Sequence, residues 1–146
     1  MTHDAQKRIE EGWEALLRRD TAGAERLFAG AAETSPDAAD AWNGLGAVHF
    51  ERGELDDSLK CYLRAKQAAA KAYGGKIPAR LAWTPDDKPA LRALHGIGLN
   101  RYRLGDIAEA VEAFEDLLAR NPGDNQGARF LLADIRKKKH LWKKDV

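Results

Sequence analysis

Apolar and small residues recur every three or four positions along most of the chain, a spacing that predicts amphipathic helices. Between Ala39 and Ala65 they mark two helical faces: Trp42, Leu45, Gly46 and His49, then Leu55, Ser58, Leu59, Tyr62 and Ala65. Gly53 lies between the two faces, where a tight turn needs a residue that tolerates positive φ. The pattern therefore predicts two antiparallel helices joined at Gly53.

This helix pair has a copy on each side in the sequence. Four positions of the first copy recur 34 residues later: Gly12, Ala24, Phe28 and Ala31 correspond to Gly46, Ser58, Tyr62 and Ala65. A third copy lies 52 residues beyond the middle one, at Gly98, Gly105, Phe114 and Leu117. Because 52 is one period of 34 plus 18 residues, we predict three helix pairs with an 18-residue insertion between the second and the third.

A period of about 34 residues, with Trp-x-x-Leu-Gly in one helix and Ala, an aromatic residue and Ala in the next, resembles the tetratricopeptide repeat. The middle copy matches best, through Trp42, Leu45 and Gly46. The first copy has Arg8 and Glu11 where the family prefers Trp and Leu, which suits a terminal repeat with no neighbour on its outer face. The resemblance implies an all-α right-handed solenoid that acts as an interaction scaffold and carries out no catalysis.

On this resemblance we expect a single domain over residues 1–146. Its parts are repeats at about 5–38, 39–72 and 91–124, an insertion at about 73–90, and a capping helix with a basic tail at 125–146. Phe130, Leu131, Leu132 and Ile135 are expected to turn toward the core, as a capping helix requires.

The insertion has mixed character. The second helix of the middle repeat is predicted to extend about two turns to Gly74 and Gly75, because strong helix formers follow where a proline is usual. Beyond it, three prolines make regular structure improbable, yet Ile77, Leu81 and Trp83 are too apolar for an inert linker. We expect this segment to fold against the body or to have a function of its own, and Thr84 or Asp87 to cap the next helix.

The resemblance also implies a concave groove lined by the first helices of the pairs. At those positions stand Ile9, Trp13, Leu16, Asn43, Phe50, Arg92, His95, Leu99 and Tyr102. Aromatic and aliphatic side chains with a few polar groups suit a protein partner that offers a peptide or helix. Two alternatives leave no open groove: the insertion fills it through Ile77, Leu81 and Trp83, or the first helix turns to bury Trp13. If the insertion fills it, we expect a second function, a self-assembling, homo-oligomeric scaffold whose subunits contact through Trp83, Leu141 and Trp142.

Co-chaperone members of the family bind an acidic peptide terminus with a clamp of Lys, Asn, Asn, Lys and Arg. The matching positions here are Ile9, Trp13, Gly44, Arg92 and Gly96. Only Arg92 fits, so the sequence argues against recognition of a carboxylate terminus.

The formal net charge of +1 hides an uneven distribution. Residues 136–146 hold six Lys or Arg and one Asp, so this segment carries +5 and the rest of the chain −4. Candidate contacts for an oligomer or an anionic partner are Trp83, Lys137, Lys138, Lys139, Leu141 and Trp142. A solvated or self-packed tail is the simpler interpretation, and the acidic body argues against nucleic-acid binding.

Residues that could support catalysis or bind metal are sparse. His95 has no Cys or second His at metal-ligand spacing, and His49 takes a position usually filled by a packed tyrosine. Cys61 has no histidine at a readable spacing. We therefore predict no catalytic residue, no metal and no cofactor. A single cysteine, no secretory signal and no apolar run of membrane length suggest a cytoplasmic protein without a membrane span.

Overall fold

The computed structural model describes residues 1–144, with side chains described through residue 138. This part of the chain is all-α, as predicted, and contains seven helices and no strand. They are α1 (His3–Leu17), α2 (Thr21–Thr34), α3 (Ala39–Glu51), α4 (Leu55–Ala72), α5 (Lys88–Arg103), α6 (Ile107–Arg120) and α7 (Ala128–Lys144). Helices α1 to α6 form three consecutive pairs, and α7 packs on α6 as a cap.

The turns inside the pairs lie at equivalent repeat positions. Gly53 and Gly105 adopt φ of 73° and 86°, where a side chain would be strained. In the first pair the same place is taken by Arg19, which adopts φ of 63° although it is not glycine. The three pairs therefore share one turn geometry, and only the first reaches it without glycine.

Two aromatic rings interlock neighbouring pairs. The Phe28 ring lies so close to Gly12 and Gly44 that a Cβ on either glycine would overlap it, and Tyr62 is placed in the same way between Gly46 and Gly96. Each ring therefore fills the space between the first helix of its own pair and that of the next. This close approach explains why glycines recur inside α3 and α5.

A buried polar chain ties the second pair to the third. Asn100 Nδ2 donates to Ser58 Oγ (2.9 Å) and to the Gly96 carbonyl (3.0 Å), and Ser58 Oγ donates to the Gly46 carbonyl (2.7 Å). Both polar side chains are fully buried. Their bonds fix α3, α4 and α5 relative to one another.

The capping helix begins later than predicted. Asp124 accepts bonds from the Ala128 and Arg129 amides at 2.6 and 3.1 Å, which starts α7 at Ala128. Leu132 and Ile135 are buried, as expected, but Phe130 is 74% exposed. Its predicted core position is wrong because Ala128, Leu132 and Ile135 form the inward stripe at i, i+4 and i+7, and Phe130 lies off that stripe.

The insertion folds against the ends of α4 and α6. Ile77 and Leu81 are buried in the core cluster of the second and third pairs. Arg120 donates to the carbonyls of Ile77 (2.9 Å) and Pro78 (2.7 Å), and the Leu81 amide donates to the Arg120 carbonyl (2.9 Å). These two apolar residues therefore anchor the segment to the body, and the alternative in which they fill the groove is wrong.

The end of the insertion is fastened by Asp87. This residue precedes α5, but its side chain makes no capping bond. Its carboxylate instead accepts from the Tyr73 hydroxyl (2.5 Å) and from the Ala82 amide (2.9 Å). The predicted extension of α4 to the Gly74–Gly75 pair is confirmed, and it is what brings Tyr73 within reach of Asp87.

Candidate partner-binding site

A cavity of about 610 Å³ opens where α1 meets the beginnings of α3 and α5, and we refer to it as the first-helix cavity. Its volume lies within the range of about 300–1,000 Å³ that is typical of ligand sites. Its walls come from α1 (Gln6, Ile9, Glu10, Trp13), the start of α3 (Asp37, Ala38, Ala39, Asp40), the end of α4 (Ala68, Ala69, Ala72, Tyr73), the approach to α5 (Pro85, Asp86, Lys88, Pro89, Ala90, Arg92) and Met1.

The floor of this cavity is apolar because small side chains line the end of α4. Ala68 and Ala69 are buried there, and Ile9, also buried, faces them from α1. Alanines at these positions leave open the volume that larger residues would fill. The extended last turns of α4 thus form one wall of the cavity.

One side of the cavity is a charged cluster that is already paired. Arg92 Nη1 donates to Asp40 Oδ2 at 2.6 Å, and the guanidinium carbon lies 5.2 Å from the centroid of the Trp13 ring. Asn43 Nδ2 donates to Asp40 Oδ1 (3.0 Å) and to the Pro89 carbonyl (2.9 Å). Since Asp40 neutralises Arg92, the one clamp residue that the sequence retains is not free to bind a carboxylate.

Trp13 stands at the edge of the cavity and is half-buried. Its ring meets Phe28 edge to face, with centroids 5.0 Å apart. The alternative in which α1 buries Trp13 is therefore only partly realised. Its indole nitrogen and the Asn43 carbonyl oxygen are buried without a hydrogen-bond partner among the described side chains. Each such group costs about 1–3 kcal/mol unless water or a ligand reaches it.

The nine predicted groove residues do not lie in one site, and only some of them line the first-helix cavity. Ile9, Trp13 and Arg92 line the cavity, and Asn43 is fully buried beside it. Leu16 packs on the core cluster of the first pair. The other four lie elsewhere, and we refer to them as the capped end: Phe50, His95, Leu99 and Tyr102.

Side chains of the capped end are largely engaged within the chain. Tyr102 donates to Asp134 Oδ2 of α7 at 3.1 Å, and Leu99 packs on the core cluster that α7 completes. His95 meets the Phe114 ring edge to face at 6.0 Å. The Arg103 guanidinium lies 5.4 Å from the Phe50 centroid.

Ionisation at the capped end follows from this packing. Burial lowers the pKa of His95, and the nearby Asp124 carboxylate opposes the shift. Hydrogen bonds from Lys138 and Tyr102 lower the pKa of Asp134. At neutral pH, His95 is thus an uncharged packing residue and Asp134 a carboxylate that holds Tyr102.

The sequence pattern does not predict the cavity wall formed by Ala72, Tyr73, Pro85 and Asp86. Two of its causes were visible in the sequence, namely the extended α4 and the long insertion. What the sequence could not show is that Asp87 draws the end of the insertion to Tyr73, and so to the edge of the first-helix cavity.

Other candidate chemistry in the described side chains is weak. Ligand atoms of His49, Glu54 and Asp57 lie within 4.8 Å of one another at an exposed turn, where His49 Nδ1 is paired with Glu54 Oε1 at 2.9 Å. Burial, helped by Asp57, raises the pKa of the free thiol of Cys61 to about 11. Such a thiol is a poor nucleophile at neutral pH.

The predicted oligomer or anion contacts are only partly described. Trp83 is 38% exposed, with Lys88 Nζ 5.1 Å from its ring centroid. Lys137 and Lys138 are exposed, and Lys138 pairs with Asp134 at 3.2 Å. Lys139, Leu141 and Trp142 lie outside the described side chains. Among the described residues, no helix is long and apolar enough to cross a membrane.

The helical repeats match a family model of known proteins. The family model described as Tetratricopeptide repeat matches residues 9–73 and 95–136. The chain belongs to the tetratricopeptide repeat family. The interval between the two matched stretches contains the insertion, and repeats of this family generally mediate protein–protein interactions.

Two curated relatives are similar to this chain. The Protein CTR9 homolog of Arabidopsis thaliana is 30% identical over 120 residues, which are 82% of this chain and 9% of that protein. The Protein STIP1 homolog of Dictyostelium discoideum is 31% identical over 90 residues, 56% of this chain and 16% of that protein. The chain therefore spans less than a fifth of either relative.

Proposed function

We propose that this tetratricopeptide repeat chain is a non-catalytic interaction module that binds a segment of a partner protein in the first-helix cavity. The observation that supports this most is the cavity itself, whose lining combines the buried Ile9, Ala68 and Ala69 with exposed polar side chains. A bulky apolar side chain of a partner would fill the space left by Ala68 and Ala69, and a peptide or short helix would extend from it along α1 and α5.

The paired charges at the edge support this assignment over recognition of an acidic terminus. Arg92 is held by Asp40, and Asp37 is held by Lys71 at 2.8 Å. A partner would gain affinity chiefly by burying apolar surface beside Trp13, with the charged edge setting its orientation. The single free thiol, Cys61, fits the cytoplasmic location that we propose for the chain.

A self-assembling scaffold is the second candidate, and exposed apolar residues favour it. Phe130 is 74% exposed and Trp83 38% exposed, so both are available for contacts between subunits. The insertion packs against the ends of α4 and α6 and does not fill the first-helix cavity. A scaffold assembled through Phe130 and Trp83 would therefore leave that cavity open.

Capture of partners from the source cell's lysate, followed by mass spectrometry, tests the proposal. Ala72 is exposed and lines the cavity, so Ala72→Trp would fill its mouth without removing a core side chain. The matched control is Ala29→Trp, at an exposed position of α2 outside the cavity. Circular dichroism should show both variants folded.

We expect wild type and Ala29→Trp to retain a protein that Ala72→Trp loses. Equal capture of the same proteins by all three chains would contradict binding in the cavity. Capture of more copies of this chain by all three chains, Ala72→Trp included, would instead favour the scaffold.

A further inference from the structure

Resting on the proposed function, we infer that the first-helix cavity accepts the basic segment 136–146 of a second copy of this chain. The segment reads Arg-Lys-Lys-Lys-His-Leu-Trp-Lys-Lys-Asp-Val, so two bulky apolar residues stand between lysines. The cavity offers the complementary arrangement, an apolar floor with carboxylates at its edge. Charge supports this pairing, and chain geometry assigns the segment to another copy.

The charge at the cavity edge favours a cationic occupant. Four carboxylates line it, from Glu10, Asp37, Asp40 and Asp86, against the cations of Lys88 and Arg92. Asp40 and Asp37 are paired with Arg92 and Lys71. Glu10 and Asp86 are exposed, and within the described side chains no ion pair neutralises either.

The lysines of the segment would pair with these two carboxylates. Lys88 forms no ion pair with either carboxylate among the described side chains, and its ammonium group lies 5.1 Å from the centroid of the Trp83 ring. Leu141 and Trp142, which gain nothing in water, would bury their side chains on the apolar floor. Residues 136–146 carry +5 and the rest of the chain −4, so attraction between copies also favours the encounter.

Chain geometry excludes the cavity of the same copy. Gln126 Nε2 donates to the Leu91 carbonyl (3.1 Å) near the start of α5, and Tyr102 near its end donates to Asp134 (3.1 Å). Helix α7 therefore runs parallel to α5, and its backbone between Asp134 and Lys144 leads away from the cavity. Since the cavity lies at the start of α5, about 24 Å from its end, only another copy can supply the segment.

A segment that leaves one end of a molecule and enters the other end of its neighbour makes a heterologous contact. Such contacts join copies head to tail and produce rings or open chains of subunits. The inference therefore predicts association that grows with concentration and weakens as salt screens the charges.

Light scattering on the full chain across a dilution series tests this with two variants. Ala72→Trp blocks the cavity and keeps the segment, whereas the double variant Leu141→Ser/Trp142→Ser breaks the segment and keeps the cavity. We expect wild type to associate and each variant alone to have the mass of one chain. Mixed together, the two variants should form a dimer that grows no further, because each supplies the part that the other lacks.

Several results would overturn the inference. They are a wild type that has the mass of one chain at every concentration, either variant alone associating like wild type, or a mixture of the two that stays monomeric. A second measurement uses a fluorescently labelled peptide of residues 136–146 and the double variant as receptor. Glu10→Lys/Asp86→Lys in that receptor should weaken peptide binding about tenfold or more, and unchanged affinity would contradict the assigned charge contacts.

The lysate experiment separates failure of this inference from failure of the proposed function. If the double variant still captures a different protein and Ala72→Trp does not, the cavity binds partners and the self-association inference alone is wrong. If Ala72→Trp changes neither self-association nor capture, both are wrong.

Discussion

The first-helix cavity and the capped end carry similar predicted groove residues, yet they are used differently. At the cavity, Trp13 and Arg92 border open space, because small alanines of α4 face them. At the capped end, Tyr102 bonds to Asp134 of α7, and Leu99 packs on the core cluster that α7 completes. A groove position in a helical repeat is thus available to a partner only where no neighbouring helix uses it.

The largest expected difference is that a side chain of the cap contributes more to stability than a side chain of the cavity wall. Ile135→Ala removes a fully buried side chain of α7 and should lower the free energy of unfolding by about 3 kcal/mol. Ile9→Ala removes a side chain that already borders a cavity, so we expect about half that loss. Urea denaturation followed by circular dichroism measures both. Equal losses would show that the cavity wall is packed as tightly as the cap.

The next largest effect concerns the glycines between pairs. Gly96→Ala would push a Cβ into the Tyr62 ring and should cost about 1–3 kcal/mol through overpacking. Gly123→Ala is the control, because its nearest atoms are 3.6 Å away and its φ is not positive. Thermal unfolding compares the two variants, and a Gly96→Ala chain as stable as the control would contradict the interlocking of repeats around Tyr62.

A smaller effect is expected from removing single tyrosine hydroxyl groups, which should change stability at the capped end and partner capture at the cavity. Tyr102→Phe removes the bond to Asp134 and should cost about 0.5–1.5 kcal/mol, with no change in partner capture. Tyr73→Phe loses the bond to Asp87, which holds the insertion at the cavity edge, so it should weaken capture. Urea titration and lysate capture give the two readouts. Weaker capture by Tyr102→Phe would indicate that the capped end also binds partners.

The smallest expected effect is the contribution of His95 to the pH dependence of the free energy of unfolding. Its pKa is lower in the folded chain than in the unfolded chain, so below about pH 6.5 the unfolded chain binds more protons and stability falls as the pH falls. His95→Gln should reduce this slope between pH 6.5 and the onset of carboxylate titration. Urea titrations at several pH values, with pH 8 as the neutral reference, measure it. If the free energy of unfolding of His95→Gln falls with pH as steeply as that of wild type, a lowered His95 pKa in the folded chain is contradicted.

Most of the repeat architecture could be predicted from the sequence, because it depends on local periodicity and on residues at fixed offsets. Gly46 and Tyr62 recur with their counterparts, and the structure places each ring against its glycine. The extension of α4 was also visible, since helix formers run on to the Gly74–Gly75 pair.

The site was harder to predict, because it depends on contacts between distant residues. Tyr102 and Asp134 are 32 positions apart, and Tyr73 and Asp87 approach only through the path of the insertion. Apolar character alone predicts Phe130 in the core, but the side of α7 that faces inward depends on where the helix starts, which the sequence does not show. Such contacts decide which groove positions stay open, and no periodic pattern records them.

The most direct test of the central claim is site-specific photo-crosslinking in the source cell's lysate. A photoreactive phenylalanine analogue would replace the exposed Gln6 at the cavity, the exposed Arg103 at the capped end, or Ala29 as a control outside both. We expect partner protein to be crosslinked from position 6 and not from positions 103 or 29. Crosslinking from position 103 but not from position 6 would contradict binding in the first-helix cavity.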